Sequence, residues 1–331
     1  MRKQHGSFFA ACVVFLCFGA NGSYGATAFP RVVITFASFS ERETVLFVAQ
    51  DQGFFRRQGL DVQLVYVGSG SVALSSLSRG DSHLNTGSAS GAILGAIAGG
   101  GDVAFVAGLV NKLTGLFVAS PQIKSPPDLK GKKIAVTSIG GGNWVFTMLA
   151  LEHWGLDAKR DGISVRALGN ESVRAQALTS GTIDATQLGY AFASALRSQG
   201  FRILADLAEL GIPYQGTALL ARRSIIESSP EIIERSLRAL AEAISFIQDP
   251  KNKGAVVRSL AKGLHLSRLE EAADGYERVK GLYEKRLNPN IEGIRNTIRL
   301  LGGTNDKIGR LRAEDVIDDR IVRKLEKERV L

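Results

Sequence analysis

Short β-branched runs alternate with helix-length segments along this chain, and the alternation occurs twice. Each half begins with such a run, VVIT in the first and IAVT in the second, which suits a buried strand. Helical segments follow from about Glu41 to Gln52 and from about Asn143 to Trp154, and each ends before a glycine. Ser38 and Glu41 have the spacing of a capping box at the start of the first helix.

The two halves continue in the same order, with a strand, a second helix and a third strand. Ile34 in RVVITF corresponds to Ile134 in KKIAVT, and Gly80 at the end of the second helix corresponds to Gly181. This order is typical of a parallel sheet covered by helices on both faces, so the repeat predicts two α/β lobes. Ligands of such sheets bind at the carboxyl ends of the strands, where loops lead into helix N-termini.

The loops at these strand ends share a small and polar composition. They read ASFSE, GSGS and NTGSAS in the first half and SIGGGN, GNES and QLGY in the second. Glycine lets the backbone approach a ligand, and Ser, Thr, Asn and Gln offer neutral hydrogen bonds, although the same residues also serve as turn and cap residues. Because six loops at matching places agree, we expect a ligand site formed by Ser38, Phe39, Gly70, Ser71, Thr86, Ser88, Gly141, Asn143, Asn170, Gln187 and Tyr190.

Charged residues beside these loops leave the charge of the ligand open. Helix N-termini attract anions, and Arg42 or Arg174 could add a guanidinium, although we expect both arginines to face solvent. Glu41 instead favours an amine or a heteroaromatic N–H, unless its side chain only caps its own helix. Phe39 and Tyr190 are placed to stack on a ring or cover an alkyl chain, while aromatic residues at such positions also occur in cores.

The first 28 residues have the pattern of a secretory signal peptide. Two basic residues precede an apolar run from Phe8 to Ala20, which is too short to span a membrane, and small residues follow. Cleavage is expected after Gly25 or after Ala28. Both cysteines, Cys12 and Cys17, lie in this segment, so the mature chain would have no thiol, and the protein is expected in the periplasm.

The composition predicts a basic surface but does not show the clustered positive charge that is typical of nucleic-acid-binding proteins. The chain of 331 residues is 45% hydrophobic and carries a formal net charge of +9. That length indicates two domains with ample core. The densest charged run, RAEDVIDDRIVRKLEKER, mixes both signs and is typical of a solvated helix, so we expect no nucleic-acid partner.

The motifs of common enzyme classes are missing or incomplete. GSGSVA matches the dinucleotide pattern at Gly68, Gly70 and Ala73, but no acidic residue follows at the distance where one would bind the ribose. The sequence contains no HExxH, GxSxG or Walker motif. We therefore expect no catalytic residues, no metal and no cofactor.

Three segments resemble a known family: QDQGFFRRQGLDVQLV, SRGDSHLNTGSASGAILGAIAGG and IKSPPDLKGKKIAVT. They are similar to the nitrate, sulfonate, taurine and thiamine-precursor group of ABC-transporter substrate-binding proteins, and the likeness extends over essentially the whole mature chain. It implies an α/β, two-lobed periplasmic-binding-protein type II fold, in which each lobe is a mostly parallel sheet flanked by helices and two crossing hinge strands join the lobes.

The same resemblance suggests the limits of the lobes. Lobe one would comprise residues 29–117 and 221–331, and lobe two, with the hinge strands, residues 118–220. One departure from the family is His83, which stands where the second repeat has Asp184. We expect a structural role for this lone histidine.

The function implied by the resemblance is that of a monomeric, exported solute-binding component of an ABC importer. It would capture a small organic solute, such as a sulfonate, a nitrate-like anion or a thiamine-precursor pyrimidine, between the lobes and pass it to a permease in the inner membrane. One alternative is a ligand-sensing clamp for a membrane receptor. The other is an enzyme similar to the fungal thiamine-pyrimidine synthases, which depend on a cysteine-rich iron-binding motif that a thiol-free chain does not have.

Overall fold

The computed structural model describes Met1 and residues 29–331. The predicted signal peptide beyond its first residue, both candidate cleavage points and both cysteines lie outside the described residues. The described chain forms ten strands: β1 (Arg31–Phe36), β2 (Asp61–Tyr66), β3 (Leu84–Gly87), β4 (Ala104–Lys112), β5 (Leu116–Ala119), β6 (Lys133–Val136), β7 (Ser164–Ala167), β8 (Ala185–Leu188), β9 (Arg202–Asp206) and β10 (Pro213–Ala221).

Helices follow most of these strands and also make up the C-terminal third of the chain. The α-helices are α1 (Thr44–Asp51), α2 (Phe54–Arg57), α3 (Gly70–Arg79), α4 (Gly91–Ala98), α5 (Gly142–His153), α6 (Glu171–Thr179), α7 (Tyr190–Ser198), α8 (Arg223–Ser228), α9 (Pro230–Gln248), α10 (Lys253–Gly263), α11 (Leu269–Lys280), α12 (Ile291–Gly302), α13 (Asp306–Gly309) and α14 (Arg320–Lys327). Short 3₁₀ turns occupy Glu41–Glu43, Pro126–Leu129, Leu207–Glu209, Pro250–Asn252 and Ala313–Val316.

The strands form two five-stranded sheets with the same plan. The first has the order β2-β1-β3-β10-β4 and the second the order β7-β6-β8-β5-β9. In the first sheet β10 runs antiparallel to both neighbours, and in the second sheet β5 does so. Val32 and Ile34 of the β-branched run in β1 are fully buried, as expected for a strand covered on both faces. The predicted two-lobed α/β fold is confirmed.

The antiparallel strand of each sheet enters from the other lobe. The chain leaves the first sheet at the end of β4, passes through residues 113–115 and starts β5 in the second sheet. At Gly115 the backbone φ is +84°, and a Cβ would collide with the Gln187 side chain and the Leu188 carbonyl. Only glycine suits this turn, which fixes the first crossing.

The second crossing differs from the expected one. Sequence analysis placed residues 213–220 with lobe two and the hinge strands, but β10 begins at Pro213 and pairs with β3 and β4, for example Leu219 with Thr86. The chain therefore returns to lobe one between Asp206 and Pro213. The physical reason is that β10 fills the gap between β3 and β4 as a central strand, with every residue after Pro213 buried.

The loops that precede α3, α5, α6 and α7 lie at the carboxyl ends of β2, β6, β7 and β8, where the two sheets face each other. The two lobes touch at this level. The Gly91 N–H donates a 2.9 Å hydrogen bond to the Gly140 carbonyl across the gap, and a Cβ on Gly142 would collide with the Ser88 hydroxyl. An apolar cluster containing Phe105, Phe117 and Ile294 continues from one lobe into the other behind this contact. The structure thus shows the lobes in contact around a shared gap.

Within the described residues, no helix combines the length and apolar character that a membrane crossing requires.

Candidate ligand site between the lobes

A cavity of about 370 Å³ lies between the two lobes, and residues of both lobes line it. Its size is within the range of sites for small organic ligands. Nine of the eleven residues predicted from sequence line this cavity: Ser38, Gly70, Ser71, Thr86, Ser88, Gly141, Asn143, Gln187 and Tyr190.

Two predicted residues lie elsewhere. Phe39 packs into the aromatic cluster of lobe one, with its ring centre 4.1 Å from that of Tyr66 and 5.3 Å from that of His265. Asn170 is the exposed N-cap of α6, and its side-chain oxygen accepts hydrogen bonds from the Val173 N–H and the Ser172 hydroxyl. Phe39 packs against the core of lobe one and Asn170 is a cap, so neither of these two predicted residues lines the cavity.

Neutral side chains of lobe two hold one another in place. Asn143 accepts a 3.0 Å hydrogen bond from the Thr137 N–H and donates to Gln187. Gln187 in turn donates to the Thr114 carbonyl at 2.9 Å, in the first crossing between the lobes. This chain of bonds ties the ends of β6 and β8 to the hinge, so part of the hydrogen-bonding capacity of these residues is already used.

Arg174 is buried, against the expectation that it faces solvent. Only 1% of the residue is exposed. Its guanidinium donates to the hydroxyls of Thr186 and Thr137 at 3.1 and 2.7 Å, and to the carbonyls of Gly169 and Gln187 at 2.7 and 3.0 Å. Burial lowers its pKa, while the charge of nearby Glu171 acts in the opposite direction. Arg174 therefore joins the ends of three strands beneath the cavity.

Arg42 lines the cavity and is also mostly buried, with 22% of its side chain exposed. Its Nε lies 3.7 Å from Glu43 Oε1, and its guanidinium carbon lies 6.0 Å from the centre of the Phe146 ring. Among the described residues, nothing accepts a hydrogen bond from the buried Nε. The expectation that Arg42 faces solvent is wrong, and its charge is directed toward the cavity region.

Three carboxylates complete the charged lining: Glu41, Glu43 and Glu171. Glu41 is 4% exposed, and its Oε1 accepts a 2.9 Å hydrogen bond from the Ala191 N–H, in the first turn of α7 in the other lobe. Glu171 Oε2 accepts a 2.9 Å hydrogen bond from the Gly189 N–H at the start of the same helix. One carboxylate from each lobe therefore caps α7.

The predicted capping box of Ser38 and Glu41 is not formed. Ser40 is the residue before the 3₁₀ turn, and no side chain caps that turn. Because Glu41 is the first residue of the turn instead of the third, its carboxylate extends across the cleft and does not fold back on its own helix.

Burial raises the pKa of each of these carboxyl groups. For Glu41, the charge of Glu171 adds to the effect of burial, and backbone N–H groups oppose it. For Glu171, the positive charges of Arg174 and Arg42 and the Gly189 N–H oppose burial. For Glu43, burial raises the pKa while Arg42 and a 2.9 Å hydrogen bond from the Thr86 hydroxyl lower it.

Tyr190 connects the cavity to a second contact between the lobes. Its hydroxyl donates a 3.1 Å hydrogen bond to Asp206 Oδ1, and Arg278 of α11 forms an ion pair with the other oxygen of Asp206. The Arg278 guanidinium carbon lies 4.8 Å from the centre of the Tyr190 ring. Burial raises the pKa of Tyr190.

His83 lies in the bend directly before β3, outside the cavity lining. Its Nδ1 accepts a 3.1 Å hydrogen bond from the Val33 N–H, and burial together with Arg222 lowers its pKa. This geometry agrees with the expected structural role.

Sequence reasoning missed Glu43 and Glu171 as cavity residues. A signal was present, because Glu171 lies inside the GNES loop and Glu43 lies two positions after the ASFSE loop, both already selected for their polar composition. The described residues contain no group of three or more His, Cys, Asp or Glu side chains arranged to hold a metal ion.

Comparison with known proteins agrees with this architecture. The periplasmic aliphatic sulphonate binding protein SsuA from Escherichia coli superposes with a TM-score of 0.71 at 19% identity, covering 88% of this chain and 99% of that one. The periplasmic nitrate-binding protein NrtA from Synechocystis PCC 6803 gives 0.70 at 14% identity, covering 90% and 88%. The desulfurization enzyme DSZB gives 0.60 at 16% identity, covering 90% and 100%.

These likenesses establish the fold. No curated protein sequence matches the chain. A sequence model of the family described as NMT1/THI5 like matches residues 41–253, which span both lobes and the crossings between them. The chain belongs to the NMT1/THI5-like family.

Proposed function

We propose that this protein is the exported solute-binding component of an ABC importer, which captures a small organic solute between its lobes and delivers it to a permease in the inner membrane. The observation that carries the proposal is the cavity of about 370 Å³, lined by strand-end loops of both lobes. A solute in this cavity would touch both rims at once. Only such two-sided contacts favour a closed arrangement of the lobes over an open one.

The chemistry of the lining supports binding without turnover. The described lining residues include several serines but no histidine, lysine or cysteine. A serine hydroxyl needs a neighbouring base to act as a nucleophile. The candidate bases are the carboxylates of Glu41, Glu43 and Glu171, and each of them already accepts a hydrogen bond from the protein. DSZB shows that an enzyme can share this fold, so incubation of the purified protein with each bound solute, followed by mass spectrometry, is the direct check for turnover.

Export is part of the proposal and has its own test. Sequencing the N-terminus of the protein recovered from the periplasm should give a first residue of Ala26 or Phe29. Recovery of the full-length chain from the cytoplasm would contradict this step.

A bulky side chain at the cavity mouth should abolish solute capture. Ser71 is exposed at the start of α3 and lines the cavity, so Ser71→Trp should fill the gap between the rims without disturbing the core. The expected result is loss of solute-induced compaction in small-angle X-ray scattering, with a free energy of unfolding within about 0.5 kcal/mol of the parent protein.

Ser78→Trp provides the matched control, because Ser78 is exposed on the same helix and does not line the cavity. The solute for this experiment would be found by native mass spectrometry of the purified protein and by a thermal-shift screen. If Ser71→Trp binds and compacts as well as Ser78→Trp, the cavity is not the site.

A further inference from the structure

Three side chains join the two lobes beside the cavity: Arg278, Asp206 and Tyr190. Arg278 lies in α11, which packs into the core of lobe one. Asp206 is the last residue of β9 and Tyr190 the first residue of α7, both in lobe two. Arg278 forms an ion pair with Asp206, and its guanidinium carbon lies 4.8 Å from the centre of the Tyr190 ring. One arginine of lobe one therefore contacts two residues of lobe two.

Asp206 connects three parts of the molecule through its two carboxylate oxygens. Its Oδ1 accepts 3.1 Å hydrogen bonds from the Tyr190 hydroxyl and from the Ala208 N–H. Ala208 belongs to the 3₁₀ turn Leu207–Glu209, with which the second crossing between the lobes begins. The other oxygen, Oδ2, pairs with Arg278. The carboxylate thus links the cavity tyrosine, the hinge and lobe one.

This ion pair is better shielded from water than an ordinary surface pair. The Asp206 side chain is 10% exposed, that of Arg278 is 38% exposed, and Tyr190 is buried. By contrast, the ion pair of Arg299 in α12 with Glu152 in α5 of lobe two is exposed on both sides. Shielded charged hydrogen bonds stabilise a structure more than exposed ion pairs do. If the lobes separated at α11, Asp206 would lose this positive partner and keep two neutral donors.

We propose that Arg278 is a positioning residue, which acts through Asp206 to hold the lobes together and to keep Tyr190 at the cavity wall. Tyr190 lines the cavity, whereas Arg278 and Asp206 do not. A contact that stabilises the closed arrangement without touching the solute raises the affinity for every solute by the same factor. Arg278 would then set how much solute closure requires, while the lining residues select the solute. This role goes beyond the proposed function, which concerns capture itself.

The distance between the lobes can be measured without any solute, because the chain from residue 29 onward contains no cysteine. Spin labels attached at Ser78→Cys and Ser180→Cys report this distance by pulsed electron paramagnetic resonance. Both serines are exposed, at the ends of α3 in lobe one and α6 in lobe two.

Arg278→Met and Asp206→Asn should each raise the ratio of open to closed molecules about tenfold. Combining the two substitutions should add little, since both remove the same contact. Arg278→Lys keeps the charge without the planar guanidinium, so it should raise the ratio less than Arg278→Met does.

Arg57→Met is the matched control. Arg57 pairs with Glu242 at 2.9 Å, and its guanidinium carbon lies 4.2 Å from the centre of the Phe54 ring. These three residues belong to α2 and α9, which pack against each other in lobe one. The substitution removes the same kinds of contact within a single lobe, so it should leave the distance distribution of the labelled parent unchanged.

Two results would overturn the inference: an unchanged distance distribution in Arg278→Met, or effects of Arg278→Met and Asp206→Asn that add. Either would leave the proposed function standing, because the labels report only on the lobes. If the Ser71→Trp experiment contradicts solute capture instead, the proposed function fails, and the comparison of interlobe distances still decides the role of Arg278.

Discussion

The two rims of the cavity differ in how much of their polar chemistry is already used. In lobe two, Arg174, Asn143 and Gln187 bond to strand ends, to each other and to the hinge. In lobe one, the Ser38 hydroxyl bonds, among the described residues, only to the neighbouring Ser40 hydroxyl, and Ser71 is exposed at the mouth of the cavity. Lobe two therefore provides a rim fixed by its own bonds, and lobe one provides groups that a ligand can still engage.

The two halves of the repeat therefore have different roles in the site. A rim that is fixed before binding loses little conformational freedom on binding, which favours affinity. The rim with free groups adapts to the ligand, and it also supplies Glu41, which extends to α7 of the other lobe. Two substitutions, each with a comparison variant, and a change of pH test this difference between the rims. The substitution with the largest expected effect comes first.

Removing the buried guanidinium of lobe two should have the largest effect on stability. Arg174→Met deletes four hydrogen bonds and leaves two threonine hydroxyls and two carbonyls short of a donor. We expect the free energy of unfolding to fall by about 3 kcal/mol, since unsatisfied buried acceptors are costly. Urea titration followed by circular dichroism measures this change.

Arg42→Met is the comparison for lobe one. The Arg42 side chain donates no hydrogen bond to a described residue, so its removal should lower the free energy of unfolding less than Arg174→Met does, although buried Glu43 loses its nearest positive charge. Equal losses for the two variants would contradict the view that lobe two is the fixed rim.

A methyl group at Gly189 should act on closure and leave folding intact. The Gly189 φ of −62° suits any residue, so the backbone tolerates alanine. The added Cβ would displace the carboxylate ends of Glu41 and Glu171 and so weaken the hydrogen bond that Glu41 accepts across the cleft. We expect Gly189→Ala to weaken solute affinity about tenfold by reducing the closed population, and scattering of the ligand-free protein to show a larger radius of gyration.

Gly254→Ala in α10 serves as the control, because the only heavy atom near its added Cβ is the end of the flexible Arg258 side chain at 3.5 Å. It should behave like the parent protein. Should Gly189→Ala retain full affinity and compactness, the contact of Glu41 with α7 does not contribute to closure.

The repeat explains why most of the site could be predicted from the sequence. VVIT lies in β1 and the first three residues of IAVT lie in β6, and the loops at equivalent strand ends line the cavity in both lobes. The period of the hydrophobic pattern and the composition of the turns are local properties of the sequence. They determine where a strand ends and a helix begins. The family resemblance added the two crossings, although the second lies earlier in the chain than expected.

The remaining features depend on contacts that local patterns do not contain. Arg174 is buried because three strand ends converge on it, and Glu41 meets α7 because of how the lobes are placed. Neither relation appears within a window of a few residues. Phe39 was misplaced for a related reason, since one position along an irregular turn decides whether a side chain enters the cavity or the core.

Acidification should have a small effect on the free energy of unfolding that distinguishes Glu41 and Glu171 from the other acidic groups. Burial raises the pKa of Glu41 in the folded protein, and the negative charge of Glu171 raises it further. The Tyr283 hydroxyl donates a hydrogen bond to the backbone carbonyl of Glu41. A carboxyl group whose folded pKa is raised binds protons more readily when folded. Its contribution to stability is therefore complete below the unfolded value near 4.5 and is lost as the pH rises through the folded pKa.

Surface carboxylates complicate the absolute trend, because ion pairs such as that of Asp161 with Arg160 lower the pKa and cause stability to fall in acid. The informative quantity is the difference between the parent protein and Glu41→Gln, whose amide can still accept from Ala191 but does not titrate. We expect the variant to be more stable than the parent at pH 7.5 and the advantage to shrink as the pH falls toward 4.5. An advantage that is constant with pH would mean that the pKa of Glu41 is not raised in the folded protein, and that the two rims do not bury this carboxylate between them in solution.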